Sequence, residues 1–167
     1  MRKMTESNLQ AAFAGESQAH MRYVIFAEQA EKDGHPNVSR LFRAISFAEQ
    51  VHATNHLKAL GGIDTTVGNL QTGINGETYE VEEMYPAFRA VAELQGEKAA
   101  VRSTTWALEA EKVHAELYTQ AQTAVKGGAD MDLGEVHICS VCGWTGIGQK
   151  PDRCPICGAK AESIRTC

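Results

Sequence analysis

The chain has 167 residues, of which 43% are hydrophobic and 22% charged, with a formal net charge of −5 and a pI near 5.7. This composition is typical of a globular protein, and the acidic balance argues against nucleic acid or an anionic membrane as the main partner. No apolar run approaches the roughly 18 residues of a membrane span, and the N-terminus lacks the apolar core of a signal peptide. We therefore expect a cytoplasmic protein without a membrane partner.

The first predicted helix begins after an N-cap at Thr5 or Ser7 and runs to about Asp33. Glu16 falls on its apolar stripe, which makes it either a carboxylate at the edge of the stripe or a metal ligand that points into the core. We place His20 outside any ligand set. The stripe has helical spacing and consists of Leu9, Phe13, Ala19, Tyr23, Phe26 and Ala30.

The second predicted helix follows the turn at 34–37 and covers about 37–60. Glu49 and His52 continue its apolar stripe. Residues three apart share a face of a helix, so these two side chains are suited to bind one metal ion together. His56 follows one turn later, and there we expect a solvent-facing side chain.

Residues 61–76 are rich in Gly, Thr and Asn and predict a long connection. A four-helix bundle with one long crossover needs such a segment. The same length would permit exchange of helix pairs between subunits.

The third predicted helix begins near Glu77 and carries Glu80 and Glu83, again three apart, on its inward face. Glu77 and Glu82 are expected to be solvated. Pro86 lacks a backbone donor and should bend the helix or end a short first segment.

The fourth predicted helix covers about 97–126 and places Glu111 and His114 on its inner face. This Glu-x-x-His follows that of the second helix by 62 residues, and the same shift superposes other residues. The pattern indicates a duplicated two-helix unit whose two motifs face each other. The superposed pairs include Tyr23 and Tyr85, Phe26 and Phe88, Ala30 and Ala92, Gly34 and Gly96, and Arg40 and Arg102.

Buried carboxylates need a compensating charge, because each isolated ion taken from water costs several kcal/mol. Protonation or bound cations would supply it. Carboxylates with imidazole suit iron or manganese, and ferritin-like di-iron bundles combine single glutamates with two Glu-x-x-His motifs. The inward glutamates here are that set plus one: Glu16, Glu49, Glu80, Glu83 and Glu111.

All five cysteines lie in the last 29 residues. Two Cys-x-x-Cys-Gly knuckles, Cys139 with Cys142 and Cys154 with Cys157, together predict a tetrahedral four-thiolate metal site. Such knuckles hold either iron or a structural zinc. Cys167 belongs to neither knuckle and should be a free thiol.

The predicted fold is therefore mainly α. A ferritin-like four-helix bundle over 1–130 is followed over 135–167 by a small four-cysteine β module of rubredoxin-like or zinc-ribbon-like type.

The motifs around the carboxylates resemble those of the rubrerythrin family. Gly15-Glu16-Ser17-Gln18-Ala19 with Arg22-Tyr23 is similar to the start of that family, and so is Glu80-Val81-Glu82-Glu83-Met84-Tyr85-Pro86; the cysteine module completes the likeness. The resemblance implies two irons in the carboxylate/His site and one iron in the four-cysteine site. It further implies that His52 and Glu83 alternate as ligands of one iron, and that Tyr23 and Tyr85 orient ligand glutamates. The implied di-iron ligands are Glu16, Glu49, His52, Glu80, Glu83, Glu111 and His114.

The family's activity implies a di-iron peroxidase that reduces hydrogen peroxide to water in oxidative-stress defence, with electrons relayed through the iron of the four-cysteine site. An external donor, rubredoxin or an NAD(P)H-dependent reductase, and a homodimer are further implications. The chain has no Gly-rich nucleotide-binding motif of its own. Two alternatives stay open: a ferroxidase that handles iron, and a non-enzymatic bundle with a structural zinc ribbon.

Overall fold

A computed structural model describes every residue from Met1 to Cys167. It is mainly α-helical with a small C-terminal β module, as the sequence predicts. None of its helices is long and apolar enough to cross a membrane. The helices are α1 (Lys3–Lys32), α2 (Pro36–Ala59), α3 (Thr66–Tyr79), α4 (Tyr85–Gln95) and α5 (Lys98–Lys126), with a π-helical turn (Glu80–Met84) between α3 and α4; the strands are β1 (Val136–Cys139), β2 (Thr145–Ile147) and β3 (Ile164–Thr166).

The chain divides into two compact units, Met1–Asp64 and Thr65–Cys167. The first unit is the pair α1 and α2. Its buried residues are all small, which lets two helices approach closely: Ala27, Ala30, Ser39, Ser46 and Ala53. His20 and Ser46 tie the pair together, since the Ser46 hydroxyl donates to the His20 carbonyl oxygen over 3.0 Å and His20 Nδ1 lies 2.9 Å from the Ser46 carbonyl oxygen. A structural partner thus accounts for His20, which the sequence placed outside the ligand set.

The connection after α2 is much shorter than the sequence predicts. α3 already begins at Thr66, and the Thr65 hydroxyl caps it by accepting the Gly68 N–H at 3.2 Å. The expected irregular segment over 61–76 is therefore wrong. Packing against α5 explains why a glycine-rich stretch is helical here: a Cβ on Gly73 would come within 3.1 Å of the Tyr118 ring, so only glycine lets the two helices approach this closely.

The predicted third helix is a succession of α3, the π turn and α4. Within the π turn, hydrogen bonds span five residues, as in the bond from the Tyr85 N–H to the Glu80 carbonyl oxygen. Pro86, which lacks a backbone donor, falls in the first turn of α4. The expected disturbance at Pro86 is confirmed as this change of helix type.

The β module is a three-stranded antiparallel sheet in the order β2-β1-β3. Its core combines Cys139, Cys154 and Ile164 with the partly buried Trp144 and Ile156. It belongs to the second unit, together with α3, α4 and α5.

Candidate metal centres

Glu16 of α1 and the Glu49/His52 pair of α2 converge in the first unit. His52 Nδ1 lies 2.9 Å from Glu49 Oε2 and 3.9 Å from Glu16 Oε1. One ligand atom from each residue fits within 4.8 Å of the others. The helical spacing of Glu49 and His52 accounts for their shared face, and α1 adds the third ligand, as the sequence predicts for this half.

The second unit holds an equivalent group made of Glu77, Glu111 and His114, whose ligand atoms also lie within 4.8 Å of one another. His114 Nδ1 is 2.6 Å from Glu111 Oε2. Both histidines therefore present Nδ1 to the carboxylates, which leaves Nε2 free to contact other residues. We refer to the two sets as the first and second carboxylate/His groups.

Glu77 in the second group corrects the sequence analysis, which expected this residue to be solvated. Glu83, expected on the inward face, is exposed and belongs to neither group. The π turn explains both errors. It holds one more residue per turn than an α-helix, so residues beyond it, such as Tyr85, match the first half at a shift of 62, while Glu77 matches Glu16 at a shift of 61. The dipeptide Gly15-Glu16, repeated as Gly76-Glu77, is the sequence signal that reveals the smaller shift.

The carboxylates of the second group repel one another strongly. Burial raises the pKa of Glu77 from its ordinary value of 4.5 to about 7, assisted by the charge of Glu111 and a hydrogen bond with its carboxyl group. Burial likewise raises the pKa of Glu80, again with help from Glu111. Glu80, which the sequence placed inward, thus lies close enough to the group to sense its charge. Carboxylates that hold protons near neutral pH because of each other are well suited to a multivalent cation, which replaces those protons.

The two tyrosines of the repeat have different surroundings. Burial raises the pKa of Tyr85, and the carboxylates of Glu80, Glu111 and Glu77 raise it further, so its hydroxyl is close to the second group. The Tyr23 ring packs against Phe42, with ring centroids 5.9 Å apart, and against Phe26 at 6.3 Å. A site role for Tyr23 stays a prediction.

Thr145 of β2 connects the second group to the β module, and the sequence analysis missed it. Its Oγ1 lies 3.0 Å from His114 Nε2, and the same hydroxyl is 3.3 Å from the Gly143 carbonyl oxygen, to which it donates. Gly143 directly follows the knuckle residue Cys142. Residues 31 apart in the chain carry no spacing signal, so only the fold reveals this contact.

The four knuckle cysteines form a single cluster, as predicted. The sulfur atoms of Cys139 and Cys157 are 3.7 Å apart, and those of Cys142 and Cys154 are 3.4 Å apart. A tetrahedral ion with metal–sulfur bonds near 2.3 Å needs sulfurs about 3.8 Å apart, so the cluster fits one. In both knuckles a glycine N–H closes the turn by donating over 2.9 Å to the carbonyl of the first cysteine.

Backbone donors stabilise negative charge on the first knuckle. Burial alone would raise the pKa of Cys139, but hydrogen bonds from the Val141 and Cys142 backbone, followed by those from neighbouring thiols, lower it to about 7. Burial raises the pKa values of Cys142 and Cys157. A thiol prepared to ionise within a shell of three others suits a metal that binds thiolates. Cys167 is exposed and lies outside this cluster.

Comparison with known proteins agrees with both kinds of site. The family model described as Rubrerythrin matches residues 7–122, and that of the rubrerythrin rubredoxin-like domain matches 137–164. Rubrerythrin-2 of Clostridium acetobutylicum is 42% identical, over 97% of this chain and 96% of its own. Nigerythrin of Nitratidesulfovibrio vulgaris is 36% identical, over 92% of this chain and 81% of its own.

A solved structure of nigerythrin in a partially reduced state matches with a TM-score of 0.56 and 35% identity, covering 97% of this chain and 86% of that one. Its fully reduced, all-ferrous form matches equally well. These matches confirm the predicted combination of ferritin-like helices with a rubredoxin-like module, and with it the Glu/His di-iron site and the four-cysteine site. The chain therefore belongs to the rubrerythrin family of iron-binding oxidoreductases.

Proposed function

We propose that the chain is a non-haem di-iron peroxidase that reduces hydrogen peroxide to water in oxidative-stress defence, with electrons relayed through an iron held by the four cysteines. The observation that carries the proposal is the 3.0 Å contact between His114 Nε2 and Thr145 Oγ1. It joins a ligand of the carboxylate/His site directly to the module that holds the four cysteines. A ferroxidase or a scaffold protein has no need of such a link.

The proposed di-iron ligands are both carboxylate/His groups together with Glu80. This set keeps the glutamates and histidines expected from the sequence, except that Glu77 takes the place of Glu83. The role of a carboxylate that alternates with His52 then passes from Glu83 to Glu80. The full set is Glu16, Glu49, His52, Glu77, Glu80, Glu111 and His114.

The two irons, when bound, supply the two electrons that hydrogen peroxide takes up, with two protons, to become two water molecules. Tyr85 serves this chemistry through its proton. Because burial and three carboxylates raise its pKa, its hydroxyl stays protonated near neutral pH and can donate a hydrogen bond to a ligand carboxylate. Such outer hydrogen bonds hold ligands in orientation. We propose the same role for Tyr23 in the first group.

His114, Thr145 and Gly143 form the proposed electron path between the two kinds of site. With Nδ1 directed at the metal, Nε2 carries the proton and donates it to Thr145 Oγ1, while the Thr145 hydroxyl donates to the Gly143 carbonyl. The path thus reaches the backbone of a cysteine knuckle through two hydrogen bonds. Domains over 1–130 and 135–167, a homodimer, and reduction by rubredoxin or an NAD(P)H-dependent reductase complete the proposal.

The test is metal content together with anaerobic kinetics. Iron-loaded protein should contain three irons per chain, and the absorption of its four-cysteine iron should bleach on reduction. Hydrogen peroxide should restore that absorption much faster than dioxygen does. Faster turnover with dioxygen and added Fe(II) would support a ferroxidase instead. One zinc with no iron, in protein produced with ample iron, would return the chain to the scaffold class.

A further inference from the structure

The connection between α2 and α3 is too short for one chain to complete its own ferritin-like bundle. α2 ends at Ala59 and α3 begins at Thr66. The N–H groups of Leu60, Gly61 and Gly62 bond back over 3.0 Å to carbonyls of the last turn of α2, so these residues stay at the helix end. Residues 63–65 are left to bridge the gap to Thr66, and an extended chain of that length reaches about 14 Å.

The distance to be bridged is about twice as large. In a ferritin-like bundle one long crossover carries the chain from the end of the second helix to the opposite end of the bundle. Glu49 lies ten residues before the end of α2 and Glu77 eleven residues after the start of α3. At 1.5 Å per residue these stretches measure about 15 and about 16 Å. If both glutamates bind the same pair of irons, the crossover must span about 31 Å. Even with all of 60–65 unwound, the chain reaches about 25 Å.

Each unit also exposes large apolar side chains. In the first unit Leu41 is 59% exposed and Phe47 is 65% exposed; in the second, Phe88 is 54% exposed and Leu94 87%. The buried residues of the first unit are small, so this helix pair has no large apolar core. An amphipathic helix pair of this kind is stabilised when another helix layer covers its apolar face.

We propose that two copies of this chain exchange their helix pairs. The first unit of each copy packs against the second unit of the other, and every di-iron site takes Glu16, Glu49 and His52 from one copy and Glu77, Glu80, Glu111 and His114 from its partner. The occupant of each apolar face is thus a second copy of the chain, because that copy brings the complementary ligand group without a long crossover. The inference rests on the proposed di-iron site and adds that no single chain contains a complete one.

Complementation between two defective chains tests the exchange. One chain carries Glu49→Gln and the other Glu111→Gln, and the two are co-expressed with different tags so that the hybrid dimer is isolated by both. With exchange, the hybrid combines an intact first unit with an intact second unit, so one of its two di-iron sites is rebuilt. Without exchange, every site keeps one defective half. The readout is bundle iron, measured against the iron of the four-cysteine site, which counts the chains.

The matched control pairs Glu16→Gln with Glu49→Gln. Both changes lie in the first unit, so no combination of these chains rebuilds a site. We expect half of the wild-type bundle iron in the first hybrid and none in the control. Equal iron in the two hybrids, or none in either, would overturn the proposal. Unchanged absorption of the four-cysteine iron and unchanged helical circular dichroism verify that each variant folds.

Lengthening the connection provides a second measurement. A Gly/Ser insert of about 12 residues between Ile63 and Asp64 adds about 40 Å of reach, which lets one chain close its own bundle. The extended chain should be monomeric where the wild type is dimeric, with bundle iron per chain unchanged. The same insert after Ala129 is the control and should leave the dimer intact. A monomeric wild-type chain with a full complement of bundle iron would refute exchange, whereas rebuilt iron without peroxide turnover would refute only the peroxidase.

Discussion

Replacement of Thr145 by valine tests the link between the carboxylate/His site and the cysteine module. Valine keeps the shape and the β-branching that suit strand β2, but it removes the hydroxyl that lies 3.0 Å from His114 Nε2. The imidazole then loses the partner that fixes which nitrogen carries the proton. The change should weaken metal binding at His114 without affecting the four cysteines.

The size of the effect follows from the burial of His114. Loss of an outer hydrogen-bond partner of a metal-ligating histidine lowers metal affinity about 10- to 100-fold. The His114 side chain is 25% exposed, so water can replace part of the lost bond. We therefore expect about a 10-fold loss, which equals about 1.4 kcal/mol.

Anaerobic Fe(II) titration against a competing chelator measures this affinity. In the iron-loaded protein, stopped-flow absorption of the four-cysteine centre after peroxide addition reports the electron path, and Thr145→Val should slow that reoxidation. Thr145→Ser should restore both quantities. In the metal-free protein, ¹⁵N NMR of His114 should show the proton on one ring nitrogen in the wild type and a tautomer mixture in Thr145→Val.

Thr123→Val is the matched control, because Thr123 is an exposed residue of α5 whose hydroxyl bonds to the Thr119 carbonyl. It should change none of these readouts. An affinity for Thr145→Val within about twofold of the wild type would contradict the expected loss of a histidine partner. A serine variant as defective as the valine variant would contradict it too, since strand packing rather than the hydroxyl would then be responsible.

Further predictions concern single side chains. Glu80→Gln should remove bundle iron, whereas Glu83→Gln should leave it unchanged; iron analysis of the purified variants distinguishes these outcomes, and the reverse result would restore Glu83 as the ligand. Glu111→Ala should abolish bundle iron and spare the absorption of the four-cysteine iron, while Cys154→Ser should do the opposite, so parallel loss of both metals in either variant would contradict separate sites. The pKa of Glu77 is raised from 4.5 to about 7, so between these values the metal-free folded chain holds a proton that the unfolded chain has lost. Its stability should therefore fall as the pH rises from 4.5 to about 7, and urea unfolding of Glu77→Gln should lack this slope.

Much of the site could be predicted from the sequence because regular helices turn spacing into geometry. Glu49 with His52, and Glu111 with His114, share a helical face wherever those helices lie. The Cys-x-x-Cys-Gly knuckles fold locally, so four cysteines predict one cluster without knowledge of the surrounding sheet. The repeat of 62 residues likewise predicts two equivalent ligand groups before any helix is placed.

The errors arose where the helix departs from regular geometry. The π turn at Glu80–Met84 adds one residue to a turn, so a register counted from Tyr85 points to the wrong glutamates when it is carried back to Glu77. The glycines after Thr65 argued for a loop, because glycine has low helix propensity. Packing of Gly73 against Tyr118 outweighs that propensity.

The sequence by itself thus determined the types of metal site, because ligand identity and local spacing are encoded within single helices and turns. The tertiary structure alone decided which carboxylates converge, since that depends on one π turn. It also brought Thr145 to His114 across 31 residues, and it shortened the connection between α2 and α3 by making residues 66–76 helical. Such contacts depend on how separate elements pack, and no local pattern records them.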